Sequence, residues 1–71
     1  MASFADSYPT ITRWVEEHGW IEIGVDEYSD SLVRALDSGG MVWESNVKID
    51  SVDEALNELE KELKKWFKKN R

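Results

Sequence analysis

The strongest hydrophobic pattern in the chain is an apolar stripe four turns long near its C-terminal end. Between residues 52 and 67 the apolar positions recur every three or four residues, the spacing of one face of an α-helix. The stripe comprises Val52, Ala55, Leu56, Leu59, Leu63, Trp66 and Phe67. Ser51 stands where an N-cap belongs, and Glu54 three residues later completes a capping box. The sequence therefore predicts a long amphipathic helix after Ser51.

A shorter helical pattern runs from about Pro9 to His18. Its recurring positions are Ile11, Trp14, Val15 and His18. Pro9 suits the first helical position, because the N–H that it lacks would have no partner there, and Ser7 or Tyr8 occupies the cap position. We expect Gly19 to end this helix in the left-handed conformation. Residues 1–7 are predicted to be frayed.

Period-two alternation between Trp20 and Val25 predicts a strand, followed by an acidic connection over residues 26–30. Residues 31–44 admit two interpretations. Residues 32–36 could form a two-turn helix capped by Asp30 or Ser31. Alternatively, residues 37–40 form a tight turn before a strand over 41–44, and the sequence Asp-Ser-Gly-Gly at that turn favours this β-hairpin.

The hairpin interpretation makes specific predictions about pairing. The expected pairs are Leu36 with Met41, Ala35 with Val42, and Arg34 with Trp43. Either Gly39 or Gly40 is expected to have a positive φ, since a tight hairpin turn requires it.

The predicted fold class is α+β, in the order α-β-β-β-α: a three-stranded antiparallel meander with both helices packed on one face. The face expected to receive the helices carries Ile21, Ile23, Val25, Val33, Ala35 and Val42. The opposite face carries Trp20, Glu22, Leu32, Arg34, Leu36, Met41 and Trp43. Two alternatives stay open. A reversed assignment would bury Arg34 and require a carboxylate such as Glu22 beside it, or the last helix could cross the second face.

The second face is too apolar for a sheet surface in water, and apolar patches of this kind mark binding surfaces. Arg34 opposite Trp43 predicts a cation–π contact, with Glu22 as an ion partner. Arginine and tryptophan are also the residues that dominate binding hot spots. The seven residues of this face are therefore predicted to form an interface, either with a second copy of the chain or with a protein partner.

Composition and charge add one alternative to this prediction. The 71 residues form one domain without cysteine, so neither disulfides nor a cysteine-bound zinc can stabilise it. The net charge of −6 argues against nucleic acid as the main partner. However, residues 1–60 carry three basic and fourteen acidic residues, whereas residues 61–71 carry six basic and one acidic. The alternative is therefore a nucleic-acid or anionic-surface binder that uses the lysine-rich last helix.

No group of residues in the sequence matches the pattern of a catalytic or metal-binding site. The sequence at residues 37–40 is similar to that around the nucleophile of chymotrypsin-like serine proteases, but 71 residues cannot build two barrels, and His18 is not predicted near Ser38. The acidic residues Glu22, Asp26, Glu27 and Asp30 lack the pattern of a calcium loop. We expect no catalytic residue, no metal and no cofactor.

The sequence also bears on where the protein acts. No apolar run approaches the length of a membrane span, and the N-terminal residues lack the features of a signal peptide. We therefore expect a cytoplasmic protein with no membrane span.

Overall fold

Three helices and one three-stranded sheet make up the fold. The computed structural model describes residues 3–25, 27 and 30–70. The helices are α1 (Phe4–Ser7), α2 (Pro9–Glu17) and α3 (Val52–Lys69), and the strands are β1 (Gly19–Ile23), β2 (Val33–Asp37) and β3 (Gly40–Glu44). The strands are antiparallel in the order β1-β2-β3. This confirms the predicted α-β-β-β-α meander, and residues 33–37 form a strand rather than the alternative two-turn helix.

Some predictions fall on residues outside this described part. The acidic connection includes Asp26, Tyr28 and Ser29, and the basic C-terminal end includes Arg71. The segment predicted to be frayed includes Met1 and Ala2, which also lie outside the described residues.

Helices α2 and α3 pack side by side on one face of the sheet and bury a single core. The buried apolar residues are Ile11, Trp14, Val33, Ala35, Ala55, Leu56, Leu59 and Leu63. The indole N–H of Trp14 donates to the carbonyl oxygen of Trp20 at 3.3 Å, which satisfies the polar atom of the largest core side chain. Each large apolar side chain buried in this way contributes about 1.5–3 kcal/mol.

The covered face is the predicted one, with two exceptions at its edge. Val33 and Ala35 are buried, and Ile21 and Val42 pack against the core. Ile23, the last residue of β1, and Val25, which follows the strand, are exposed. Helix α3 lies beside α2 on the same side of the sheet, so the alternative in which α3 crosses the second face is wrong.

Helix α3 begins as predicted, although its cap is only half of a capping box. The Ser51 hydroxyl accepts a hydrogen bond from the Glu54 N–H at 3.4 Å. The return bond from the Ser51 N–H to the Glu54 carboxylate is absent between these two described residues. Of the predicted stripe, Val52 is exposed, and the aromatic residues Trp66 and Phe67 are half-buried.

Helix α2 receives its N-terminal cap from α3. The Glu60 carboxylate accepts hydrogen bonds from the Thr10 N–H, at 3.0 and 3.1 Å, and from the Ile11 N–H at 3.0 Å. This buried carboxylate satisfies two donors that a helix N-terminus leaves open, and it lies at the positive end of the helix dipole. Tyr8 occupies the N-cap position, one of the two predicted, but its side chain makes no capping bond, and Ser7 belongs to α1.

A helical turn, α1, occupies residues that were predicted to be frayed. Ser3 and Asp6 form a capping box: the Ser3 hydroxyl accepts from the Asp6 N–H at 3.2 Å, and the Asp6 carboxylate accepts from the Ser3 N–H at 3.1 Å. The ring of Phe4 packs on that of Tyr8, with centroids 4.9 Å apart. The reciprocal cap and this ring contact together stabilise the turn.

Gly19 ends α2 for a reason other than the predicted one. Its φ is not positive; the glycines with positive φ are Gly24 and Gly40. Gly19 is instead the first residue of β1, where it lies opposite Asp37, and a Cβ at this position would overlap the carbonyl oxygen of Leu36. Glycine is therefore required by the close approach of two backbones.

The β2–β3 hairpin has the predicted turn. Ser38 and Gly39 connect the strands, and the Gly39 N–H donates to the Asp37 carboxylate at 2.8 Å. Gly40 has a φ of 121°, which confirms the prediction of a positive φ at Gly39 or Gly40.

A β-bulge shifts the register of this hairpin beyond its first pairs. The observed partners are Leu36–Met41, Ala35–Trp43 and Arg34–Glu44. Val42 is the extra residue of β3, because consecutive residues of β2 pair with Met41 and Trp43. The predicted pairs Ala35–Val42 and Arg34–Trp43 are therefore wrong.

Candidate interaction surfaces

The sheet face that no helix covers, termed the open face, carries two parallel rows of side chains. The first row, termed the apolar row, crosses all three strands through directly paired residues: Trp20, Leu36 and Met41. The next row, termed the charged row, consists of Glu22, Arg34 and Glu44. Trp20 is 46% exposed and Met41 is 54% exposed, with the half-buried Leu36 between them. The open face thus presents apolar surface to solvent beside a row of alternating charge.

Arg34 is buried although it lies on the open face. Its side chain is only 8% exposed. Its guanidinium donates to the Glu22 carboxylate at 3.3 Å, to the Ser31 carbonyl at 2.6 Å and to the Gly24 carbonyl at 2.9 Å. The Ser31 hydroxyl in turn donates to the Glu44 carboxylate at 3.4 Å. Arg34 therefore holds both ends of the β1–β2 connection against the sheet, and the bonds satisfy its charge.

Two of the seven predicted interface residues lie on the other side of the sheet. Trp43 packs against the core because the bulge at Val42 places it opposite Ala35, on the covered face. Leu32 precedes the first residue of β2, so strand alternation does not apply to it, and its side chain also packs against the core. The predicted cation–π contact between Arg34 and Trp43 is consequently absent. The remaining five residues are together on the open face.

A second surface is the cleft between helices α2 and α3, which has a volume of about 650 Å³. Its lining includes Arg13, His18, Lys64, Phe67, Lys68 and Asn70. An aromatic cluster lies at the rim of the cleft and consists of Trp14, His18, Trp66 and Phe67. Each of these four rings contacts the other three, with centroids 5.0 to 6.3 Å apart. Sequence reasoning placed His18 at a helix end but did not predict this cleft, because the cleft depends on how two distant helices pack.

The structure brings His18 and Ser38 to the same end of the sheet, contrary to expectation, because the adjacent residues Gly19 and Asp37 are paired. The imidazole contacts the rings of Trp66 and Phe67, and it shares no hydrogen bond with the Ser38 hydroxyl. Within residues 3–25, 27 and 30–70, no three side chains of the types that ligate metals converge. Asp26, part of the acidic cluster considered above, lies outside these residues.

Comparison of the chain with protein-family models, with curated proteins and with solved structures gives no match in any of the three. None of the helices in the described part of the chain combines the length and the apolar character that a membrane span requires. The open face and the α2–α3 cleft are therefore the features that indicate a function.

Proposed function

We propose that the protein is a non-catalytic interaction module whose open face binds a second copy of the chain. The observation that carries this proposal is the continuous apolar row of Trp20, Leu36 and Met41 on the side of the sheet that no helix covers. Contiguous apolar surface of this kind on a small domain marks a binding surface. The cytoplasm is the expected compartment for this dimer.

The arrangement of the two rows suits a second copy. In a face-to-face dimer whose two-fold axis runs along the apolar row, each apolar row packs against its equivalent. The charged row lies two residues along β1 and β2, and three along the bulged β3, about 7 Å to one side. The two-fold rotation therefore places the two charged rows on opposite flanks. Glu22 and Glu44 of one copy then do not meet the same residues of the other, so like charges stay apart.

The size of the open face predicts a weak, reversible dimer. Three strands about 4.8 Å apart, each of five residues rising about 3.4 Å, span roughly 240 Å². A stable interface of standard size buries about 800 Å² on each partner. Because the sheet supplies much less than this, we expect association that depends on concentration, with monomers dominating in dilute solution.

Sedimentation equilibrium over a concentration series tests the proposal. The wild-type mass is expected to rise above the 8.3 kDa of one chain as concentration increases. Met41→Lys places a charge in the apolar row and should keep the chain monomeric. Val47→Lys is the matched control, because Val47 is 64% exposed and lies outside the sheet, and it should associate like the wild type. A wild-type chain that stays monomeric throughout, or a Met41→Lys variant that associates normally, contradicts the proposal.

Binding of nucleic acid or an anionic surface through the lysine-rich helix is the alternative function. The observation that favours it is that Lys64 and Lys68 of α3 lie with Arg13 of α2 around one cleft. The dependence of binding on salt concentration distinguishes this function from dimerisation. Association through the apolar row should survive moderate salt, whereas binding through the lysines should weaken steeply as salt increases.

A further inference from the structure

The cleft between α2 and α3 concentrates positive charge on an otherwise acidic molecule. Arg13 lies on one wall, and Lys64 and Lys68 lie one turn apart on the other. Among the residues that the structure describes, none of those lining the cleft is acidic. Its volume of about 650 Å³ falls within the range of ligand-binding clefts. The geometry therefore suits a small region of concentrated negative charge.

The three cations of the cleft are available to a ligand. The guanidinium of Arg13 lies 4.2 Å from the centroid of the Phe67 ring, which holds it at the wall. Its ion pair with Glu17, at 3.5 Å, and that of Lys64 with Glu60, at 3.8 Å, involve cationic side chains that are more than half exposed. The Arg13–Glu17 pair is exposed on both sides and therefore weak, so a ligand can displace it. Glu60 is buried, so a ligand would share Lys64 with it through the other N–H groups of the ammonium. Lys68 makes no ion pair with any residue in the described part of the chain.

The donors in the cleft favour carboxylates spread along a peptide over a single tightly held phosphate. A phosphate site is commonly built from the free N–H groups at a helix N-terminus. Here the N–H groups of Thr10 and Ile11 at the start of α2 are already bonded to Glu60. The cleft is left with side-chain cations, of which the lysines are point charges on flexible stems. These flexible cations can each pair with a separate carboxylate, so they suit several negative charges spread along a peptide.

The charge around the cleft favours a short ligand over a long polyanion. Residues 1–60 carry a net charge of −11, and Glu16 and Glu17 follow shortly after Arg13 on the same helix. A nucleic acid or a membrane surface that extended beyond the cleft would meet these carboxylates, and like charges repel. A short run of Asp and Glu residues in the cleft meets fewer of them, chiefly Glu17, which pairs with Arg13 at its edge.

We propose that the α2–α3 cleft binds an acidic peptide segment of a partner protein, whose carboxylates pair with Arg13, Lys64 and Lys68. The aromatic wall at Phe67 provides apolar contact beside these charges. This site is on the helical side of the molecule, so it is separate from the open face.

Fluorescence anisotropy with a labelled hexaglutamate peptide tests this proposal. We expect saturable binding that weakens steeply with salt. Lys68→Ala should weaken binding about two- to fivefold, the effect of one exposed ion pair, and combining it with Lys64→Ala should weaken it further. Lys61→Ala is the matched control. It removes the same charge from the same helix, but Lys61 pairs with Glu58 outside the cleft, so the affinity should stay within about twofold.

Other probes separate this site from its alternatives. A single-stranded oligonucleotide with the same number of charges, and anionic lipid vesicles, should bind more weakly than hexaglutamate. Tighter binding of either probe, no binding of hexaglutamate, or an equal loss in Lys61→Ala contradicts the proposal. The Met41→Lys variant should bind hexaglutamate like the wild type, so the two proposals fail independently.

Discussion

At the scale of single residues, the fold depends on two glycines for different reasons. Gly40 adopts a φ of 121° at the start of β3, a region that side chains with a Cβ rarely enter. Gly19 has an ordinary φ but lies so close to the backbone of Leu36 that a Cβ would overlap its carbonyl oxygen. One glycine is therefore needed for its conformation and the other for its lack of volume.

Substitution at the hairpin turn should separate conformational strain from loss of flexibility. Gly40→Ala forces an alanine to a positive φ and should lower the free energy of unfolding by about 1 kcal/mol or more. Gly39→Ala is the control, because Gly39 has no positive φ and its added Cβ would approach only the flexible carboxylate of Asp37. Urea denaturation measures both. An equal loss in the two variants would show that strain at Gly40 is not the cause.

Residue-level prediction failed where a polar group is supplied from far along the chain. The turn glycine was predictable because its signal lies in four consecutive residues. Glu60, which caps α2, and Ser45, whose hydroxyl accepts from the Leu32 and Val33 N–H groups at 3.1 Å, carry no such local signal. Both are buried polar residues in segments where the sequence offered no reason to expect burial.

At the scale of elements, α3 organises the domain. It provides half of the buried apolar residues, and Glu60 on the same helix caps α2. The apolar stripe that predicted α3 is also the surface against which α2 and the sheet pack. The stability of the whole domain should therefore depend on the centre of this stripe.

Leu59→Ala tests this dependence. Leu59 is fully buried, and truncating a buried leucine costs about 2–4 kcal/mol. A domain of this size has only about 5–10 kcal/mol to lose, so the midpoint of urea denaturation should fall sharply. Asn57→Ala, on the exposed side of the same helix, should leave the midpoint nearly unchanged. Similar midpoints for the two variants would mean that the stripe does not face the core.

The elements were largely predictable, whereas the phase of β3 was not. Helices α2 and α3 follow from periodicity and the hairpin follows from its turn. Residues 41–43 of β3 are all apolar, so no polar residue indicates which of them faces the helices. The bulge at Val42 could not be predicted for that reason. Because of it, Trp43 packs against the core instead of lying on the predicted interface. Helix α1 is different, because its Ser-x-x-Asp signal was available in the sequence.

At the scale of the whole molecule, the domain is a flat plate with two unlike sides. Its Cα atoms span 34 × 32 × 17 Å. One broad side carries the helices and the basic cleft, and the other carries the apolar row. Five of the seven residues predicted for an interface share the latter side. The cleft was not predicted as a site, although the lysines that line it were noted as a charge pattern.

The shape of the dimer follows from this flatness. Stacking two plates through their open faces roughly doubles the thickness and leaves the length and width near those of one copy. The proposed dimer should therefore be almost isometric in small-angle X-ray scattering, with a nearly symmetric distribution of interatomic distances. Pairing of β1 or β3 edges between two copies would instead produce a long, flat particle with a skewed distribution, and that result would exclude the open face as the interface.

The cap that Glu60 provides has a consequence for amide hydrogen exchange. Amides in the first turn of a helix normally exchange quickly, because fraying of that turn releases them. The Thr10 and Ile11 amides are bonded to Glu60 of α3, so they should exchange only when α2 and α3 separate. The Glu54 amide donates to Ser51, three residues before it, so local fraying of α3 is enough to let it exchange. Thr10 and Ile11 should therefore exchange as slowly as the amides of the core, and Glu54 much faster.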